Sequence, residues 1–243
     1  MTKTSCIPNI ITLAGIFAGF TSIIASINNN YVMSSYFILL AFLFDGLDGK
    51  TARLLHAESA LGLQLDSLAD TISFGVAPAI LAYQYVLCNY NILGLLTSYF
   101  FIVCGVLRLA RFNISAKHDD SVFIGLPIPA AACAIASCIL FLNNPSDSIV
   151  YSNEHIFFII FINCLSFLMV TNLHYPSIKK VDFLVHRQHL VVMFILLIFL
   201  VVSLYYEFIM FILFLIYILS GIMLSFLHRR DEYPTSEDVE EVK

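Results

Sequence analysis

The sequence is poor in charge and contains no tryptophan. Of its 243 residues only 12% are charged, whereas 60% are hydrophobic. Mean hydropathy is +0.89. This balance excludes one or two ordinary soluble domains and indicates a membrane protein with several spans. Without tryptophan, an aromatic belt at the membrane interfaces has to rely on tyrosine, of which there are 12.

Other common signatures are also missing. The six cysteines contain no C-x-x-C pair, which argues against a zinc site or a disulfide framework and favours small core residues. No basic patch with interleaved aromatics occurs, so nucleic-acid binding is not expected. The first 15 residues lack a charged stretch followed by a small-residue cleavage site. They therefore predict a retained first span rather than a signal peptide.

Apolar runs long enough to span a membrane recur along the chain. They lie near 8–27, 32–49, 63–87, 92–112, 124–142, 156–173, 190–205 and 208–227. Only Tyr205, Tyr206 and Glu207 separate the last two runs, and a short hairpin fits this length better than one overlong helix. The sequence therefore predicts an all-α fold, a polytopic membrane helix bundle of about eight transmembrane helices, with residues 1–230 as one domain.

Basic residues test this topology. With eight spans, every second loop shares the side of the N-terminus, and those segments hold all 12 basic residues: Lys3, Lys50, Arg53, Arg108, Arg111, Lys117, Lys179, Lys180, Arg187, Arg229, Arg230 and Lys243. By the positive-inside rule, both termini are cytoplasmic in the cell membrane.

The net charge of −5 comes from residues 231–243, which hold six acids and one lysine. This composition predicts a disordered acidic tail.

Four aspartates in this apolar context form a regular pattern. Residues 45–70 read D-x-x-D-G-x-x-A-R, eight residues, then G-x-x-x-D-x-x-x-D, with the acids at Asp45, Asp48, Asp66 and Asp70. Each pair, at i,i+3 and i,i+4, shares one helix face. Acids in a membrane span are costly and need a counter-charge. Four converging carboxylates suit one or two Mg²⁺ or Mn²⁺ ions. Two such ions stabilise the entering and leaving oxygens in a displacement at phosphorus.

Small residues and one cation accompany the acids. Gly49 and Ala52, at i,i+3, let a flat ligand lie against the helix, and Gly62 is a third small residue. Arg53 adds a cation suited to phosphate. Alone, small residues at this spacing more often mark helix packing, and a lone aspartate more often marks a helix contact or an ion path. The whole set favours a metal and phosphate site.

The 45–70 pattern matches the signature of the CDP-alcohol phosphatidyltransferase family at every defined position. Further blocks at 67–70, 73–78, 108–113, 125–131 and 175–177, with the opening Pro8-Asn9 and Thr12, resemble the bacterial and archaeal members that use serine. The resemblance covers most of residues 5–180. It implies transfer of the phosphatidyl group of CDP-diacylglycerol to L-serine, with phosphatidylserine and CMP as products. It also implies a membrane-embedded homodimer.

The resemblance also assigns residue roles. Asp45, Asp48 and Asp66 correspond to metal ligands, and Asp70 completes the site and is the expected general base. Gly49, Ala52 and Gly62 correspond to close contacts with the CDP-lipid, and Arg53 to the residue that holds its diphosphate. Outside the signature, three residues at the end of the fourth span are candidates for the serine carboxylate or a lipid phosphate: Arg108, Arg111 and Asn113. As an isolated feature, this cluster is an ordinary positive-inside anchor.

Competing functions differ in what they require. Another acceptor alcohol, such as glycerol 3-phosphate, inositol phosphate or choline, shares the signature, and only the blocks at 108–113 and 125–131 favour serine. A prenyl transferase also uses two aspartate-rich helices, but with another spacing and without the G…A-R set. A cation transporter with intramembrane acids predicts inverted repeats, and residues 120–243 hold no second acidic cluster.

Overall fold

The computed structural model describes residues 6–57, 59–115, 123–142, 154–171, 174–175, 211–221 and 223. These residues form a bundle of helices, with one two-residue antiparallel strand pair at its edge. In chain order the elements are α1 (Cys6–Ile27), α2 (Tyr31–Leu54), α3 (Ala60–Asp70), a π-helical turn (Thr71–Val76), α4 (Ala77–Tyr85), a 3₁₀ turn (Leu87–Tyr90), α5 (Asn91–Ser115), β1 (Phe123–Ile124), α6 (Ile128–Leu142), α7 (Glu154–Val170), β2 (His174–Tyr175) and α8 (Phe211–Gly221).

The first two helices form an antiparallel hairpin. Asn30 caps the start of α2, because its side chain accepts a hydrogen bond from the amide of Met33 at 3.2 Å. Within the hairpin, the hydroxyl of Ser34 on α2 lies 2.8 Å from that of Ser22 and 2.7 Å from that of Ser26, both on α1. Small side chains and buried hydrogen bonds of this kind hold helices together where no water competes.

The third long helix changes its winding in the middle. Residues Ala60–Tyr85 run as one continuous helical segment, but the six residues Thr71–Val76, directly after Asp70, are π-helical. The wider turn accompanies a close approach to α1, where a Cβ atom on Gly19 would lie 2.5 Å from the Ser73 hydroxyl. Ser73 also donates to the carbonyl of Gly15 at 3.1 Å. Such π-turns are frequent at functional sites, and this one fixes α1 against the helix that carries two of the aspartates.

Helix α6 occupies the centre of the bundle. All eleven residues from Ala130 to Leu140 are buried, and so is Ile128, as expected of a helix that is apolar on every side. It begins four residues later than the predicted run 124–142. Gly125 has φ of +77°, and a Cβ atom there would lie 2.5 Å from the Met169 carbonyl oxygen. This turn after β1 therefore delays the helix.

Seven of the eight predicted runs overlap helices among the described residues. Four segments are long and apolar enough to cross a membrane: Cys6–Ile27, Tyr31–Leu54, Ala60–Tyr85 and Leu87–Ile114. Three apolar helices are shorter: Ile128–Leu142, Ile156–Val170 and Phe211–Gly221. The predicted span 190–205 lies outside the described residues, so the number eight stays a prediction. The outer face of α1 is lined with exposed large apolar residues such as Phe17 and Phe20. The chain is therefore a membrane protein.

Candidate active site

The two aspartate pairs face each other across a short connection. Helix α2 ends at Leu54 and α3 begins at Ala60, so the ends of the two helices lie close in the chain, and both helices pack against α1. One side-chain oxygen from each of Asp45, Asp48 and Asp66 lies within 4.8 Å of the others. Asp70, one turn along α3, lines the same small cavity of about 10 Å³ between the helices. The predicted convergence of the four acids is thus present in the fold.

These carboxylates are well suited to a divalent cation. Asp48 is buried, and the other three acids are half-buried. Carboxylates this close repel one another strongly in a medium of low dielectric constant, and a cation between them removes that repulsion. The donor atoms are all hard oxygens, the ligands that Mg²⁺ and Mn²⁺ prefer. The acidic group formed by Asp45, Asp48 and Asp66 is therefore able to bind a metal ion.

Helix α1 adds a polar contact that residue spacing did not reveal. The Thr12 hydroxyl donates to Oδ2 of Asp48 at 2.6 Å, and both side chains are buried. Thr12 was part of the family-like opening of the chain, but no role in the site followed from its position alone. Only the packing of α1 on α2 and α3 brings it to the acids.

Two small residues of the signature, Gly49 and Ala52, lie on α2 after Asp45 and Asp48. Gly49 is exposed, and a Cβ atom added to it would meet nothing within 4 Å. The described helices therefore do not need glycine there for packing, which weakens the helix-packing interpretation. Ala52 is half-buried, and Arg53 is exposed in the last turn of α2. The last turns of α2 therefore carry two small residues and one exposed cation after the acids.

Gly62 lies in the first turn of α3. Ser59 caps α3 by accepting a hydrogen bond from the Gly62 amide at 3.0 Å. A Cβ atom on Gly62 would lie 3.1 Å from the Ser59 hydroxyl and 3.3 Å from the Asn9 side-chain oxygen. A larger residue would thus crowd both the cap and the start of α1.

A second, larger cavity adjoins the acids. Its volume is about 180 Å³, well above the roughly 10–15 Å³ that one water molecule needs. Its polar lining consists of Asp66, Ser67, Asp70, Arg108 and Asn113. Two of the aspartates, Asp66 and Asp70, line this cavity and also the small one between the four acids. They form the boundary between the two spaces.

Arg108 is the buried cation of this second cavity. Its side chain is only 7% exposed, and its Nε atom has no hydrogen-bond partner among the described residues. The guanidinium carbon lies 5.8 Å from the centre of the Phe112 ring, and the guanidinium charge interacts with the carboxylate of Asp70. A buried guanidinium N–H without a partner is costly, so this atom is available to an anionic ligand.

The other two candidates on α5 differ in position. Asn113 lines the cavity, and its side-chain amide donates to the Ser67 hydroxyl at 3.0 Å. Ser67 was not among the predicted site residues, although it lies in the block 67–70. Arg111 is exposed, is not among the lining residues, and donates from Nη1 to the carbonyl oxygen of Val170 at 2.8 Å. The structure therefore brings Arg108 and Asn113 to the acids and directs Arg111 towards the end of α7.

Comparison with known proteins agrees with this site. The CDP-alcohol phosphatidyltransferase family matches residues 5–170. A CDP-diacylglycerol–serine O-phosphatidyltransferase of Helicobacter pylori is 42% identical over 193 residues, which are 79% of this chain and 81% of that protein. A protein of the same name from Bacillus subtilis is 36% identical over 175 residues, 72% of this chain and 92% of that protein.

An archaeal relative extends the comparison. The archaetidylserine synthase of Methanothermobacter thermautotrophicus is 36% identical over 183 residues, which are 73% of this chain and 72% of that protein. The family match includes α1 to α7 and therefore both cavities. The chain is an enzyme and belongs to the CDP-alcohol phosphatidyltransferase family.

Proposed function

We propose that the protein transfers the phosphatidyl group of CDP-diacylglycerol to L-serine and releases phosphatidylserine and CMP. One observation carries this proposal: Asp66 and Asp70 line both the cavity between the four acids and the larger cavity that contains Arg108. A transfer reaction needs the donor's phosphorus and the acceptor's hydroxyl next to each other. Two adjoining cavities that share two aspartates satisfy that requirement. The names of the relatives identify serine as their acceptor.

The aspartates would hold the metal. Asp45, Asp48 and Asp66 offer oxygens within 4.8 Å of one another, and Asp70 completes the set from the same cavity. We assign to them Mg²⁺ or Mn²⁺, in two sites. Bound there, such ions would neutralise phosphate charge and stabilise the entering and leaving oxygens.

The open surface beside the acids would bind the CDP-lipid. Nothing lies within 4 Å of a Cβ position on Gly49, so a flat nucleotide has room to approach the helix backbone there. Ala52 and Gly62 would add further close contacts to the CDP-lipid, and the exposed guanidinium of Arg53 would hold the diphosphate. The acyl chains would lie among the membrane lipids.

The larger cavity would bind serine. Serine carries one carboxylate and one ammonium group, and this cavity offers one guanidinium beside two carboxylates. Arg108, whose Nε lacks a partner, and the amide of Asn113 would bind the serine carboxylate. A phosphorylated alcohol brings two negative charges and would meet the same two aspartates with a single described cation. The charge balance therefore favours a zwitterion over glycerol 3-phosphate or inositol phosphate.

Asp70 would act as the general base. Its carboxylate faces both cavities, so it can accept the serine hydroxyl proton next to the phosphorus. The serine oxygen then forms a bond to the phosphorus that carries the diacylglycerol. The bond from that phosphorus to the CMP oxygen breaks, and CMP leaves with its electron pair. Positioning and fixed charges carry most of the catalysis, and no covalent enzyme intermediate is needed.

The orientation follows from the basic residues. The segregation of all Lys and Arg residues to one side of eight spans supports cytoplasmic termini and a cytoplasmic active site in the cell membrane. Residues 1–230 would form the membrane domain and residues 231–243 a solvated acidic tail, which lies outside the described residues. We also expect a homodimer, as the family resemblance implies.

The decisive assay uses the purified full-length protein in detergent micelles with CDP-diacylglycerol, radiolabelled serine and Mg²⁺ or Mn²⁺. Labelled phosphatidylserine and CMP should form in equal amounts, and EDTA should stop the reaction. Glycerol 3-phosphate, inositol phosphate and choline are offered in parallel as acceptors. Faster consumption of one of these would make the serine assignment wrong, and full activity in EDTA would make the metal assignment wrong. Asp66→Asn protein is the matched inactive control.

A further inference from the structure

The contact between Thr12 and Asp48 joins residues 36 positions apart in the chain. The Thr12 hydroxyl lies 2.6 Å from Oδ2 of Asp48 and 3.1 Å from the carbonyl oxygen of Pro8. A hydroxyl has one proton to donate, and the shorter distance is to the carboxylate. Hydrogen bonds to ionised acceptors are shorter and stronger than neutral ones. The Thr12 hydroxyl therefore donates its proton in a hydrogen bond to the carboxylate of Asp48.

A second threonine on the same helix shows what this hydroxyl would otherwise do. Thr21 donates to the carbonyl oxygen of Phe17, four residues earlier, at 2.8 Å and on the exposed side of α1. Thr12 has the equivalent acceptor in Pro8, yet its hydroxyl lies closer to the carboxylate. A threonine in a helix satisfies its hydroxyl without help from other helices. The contact with Asp48 is thus additional to what the helix requires.

The position of Thr12 is held from both sides. One turn along α1, the carbonyl of Gly15 accepts a hydrogen bond from Ser73 at 3.1 Å. A Cβ atom on Gly15 would lie 3.6 Å from Cβ of Phe44, on the helix turn next to Asp45 and Asp48. Helix α1 therefore contacts both helices that carry the acids. It presents the hydroxyl to the site as a rigid part of the bundle.

We propose that Thr12 is a positioning residue that orients the carboxylate of Asp48 for metal binding. Its hydroxyl occupies one acceptor position of Oδ2 and fixes the side-chain torsions, and the remaining lone pairs of the carboxylate stay available to the cation. This role rests on the metal site of the proposed function. It makes α1, which contributes none of the aspartates, part of the machinery that binds the metal.

The test measures metal binding rather than turnover. Mn²⁺ is titrated into the purified full-length protein without substrates, and free Mn²⁺ is followed by electron paramagnetic resonance. Thr12→Val keeps the shape of the side chain and removes the hydroxyl. It should weaken Mn²⁺ binding roughly 10- to 100-fold, the usual effect of removing a group that orients a metal ligand. Thr12→Ser keeps the hydroxyl and should bind close to the wild-type affinity.

The matched control is Thr21→Val, which removes a threonine hydroxyl and its bond to the carbonyl four residues earlier at a half-buried position elsewhere on α1. It should bind Mn²⁺ as the wild type does. In turnover assays, Thr12→Val should need more Mn²⁺ for half-maximal activity and recover most of its kcat at saturating Mn²⁺. A residue that only holds the fold together would not shift the metal requirement in this way.

The outcomes separate this proposal from the one on which it rests. Unchanged Mn²⁺ affinity in Thr12→Val, or equal losses in Thr12→Val and Thr12→Ser, would overturn the role of the hydroxyl while the metal site stands. A wild-type protein that binds no Mn²⁺ and works in EDTA would overturn the metal site itself. If Thr12→Val does not fold, Thr12→Ala removes the hydroxyl without placing a methyl group beside the carboxylate, and the same criteria apply.

Discussion

Replacing Arg108 by glutamine tests the acceptor cavity most directly. The side chain is 7% exposed, and its Nε lacks a partner, so a serine carboxylate there would bind a guanidinium that water barely reaches. Glutamine keeps an N–H donor and removes the charge. A hydrogen bond to a charged group contributes about 1.5–3 kcal/mol, so the serine KM should rise roughly 10- to 150-fold.

The informative quantity is the ratio of two Michaelis constants. Steady-state rates are measured with serine varied at saturating CDP-diacylglycerol, and then with the roles exchanged. Because the charge of Arg108 interacts with that of Asp70, kcat is expected to fall as well, so kcat alone does not discriminate. A selective rise in the serine KM indicates lost binding of that substrate. Arg108→Lys, which keeps the charge but not the planar fork, should lie between glutamine and wild type.

Arg111→Gln is the matched comparison, one helical turn further along α5. Its guanidinium donates to the Val170 carbonyl and lies outside the cavity lining, so its serine KM should change much less. The reasoning would be refuted if Arg111→Gln raised the serine KM and Arg108→Gln did not. If Arg108→Gln raised only the KM for CDP-diacylglycerol, its guanidinium would belong to the lipid phosphate instead.

Three further predictions concern the acids, the rim and the orientation. Asp70→Asn should lower the rate of CMP release by roughly 10²–10⁴-fold. The thermal midpoints of Asp70→Asn and Asp66→Asn should hold or rise, because repulsion between carboxylates is relieved. A large loss of stability would contradict this. Gly49→Ala should stabilise the helix by about 0.5–1 kcal/mol, since the added Cβ meets nothing within 4 Å. The same variant should raise the KM for CDP-diacylglycerol, and an unchanged KM would show that Gly49 does not contact the lipid. The topology is tested in intact cells with variants that lack the native exposed cysteines. Ser148→Cys should react with an impermeant maleimide and Ser236→Cys should not. The reverse labelling would mean that the predicted orientation is inverted.

Much of the aspartate site was determined by local spacing. Residues at i,i+3 and i,i+4 share a face whatever the helix packs against, and the short segment between α2 and α3 keeps the two helix ends close together. The convergence of Asp45, Asp48 and Asp66 within 4.8 Å follows from these two facts. Long apolar runs likewise predicted helices, because a membrane-spanning backbone has to satisfy its own hydrogen bonds.

Helix boundaries depended on contacts that no periodicity encodes. The late start of α6 results from Gly125, whose φ of +77° and close approach to Met169 produce a turn inside an apolar run. The π-helical turn after Asp70 accompanies the approach of Ser73 to Gly19 on α1. Both features arise where one helix lies against another.

The sequence by itself determined the class of protein, the paired acids and the chemistry that they suit, because composition and helical period are local properties. It did not distinguish Arg108 from Arg111, which are three residues apart and nominally on the same face of α5. Tertiary packing buries the first beside Asp70 and directs the second to the end of α7. It also brings Thr12 to Asp48 across 36 residues. Helical period specifies which residues share a face, whereas the positions of the neighbouring helices decide what that face meets.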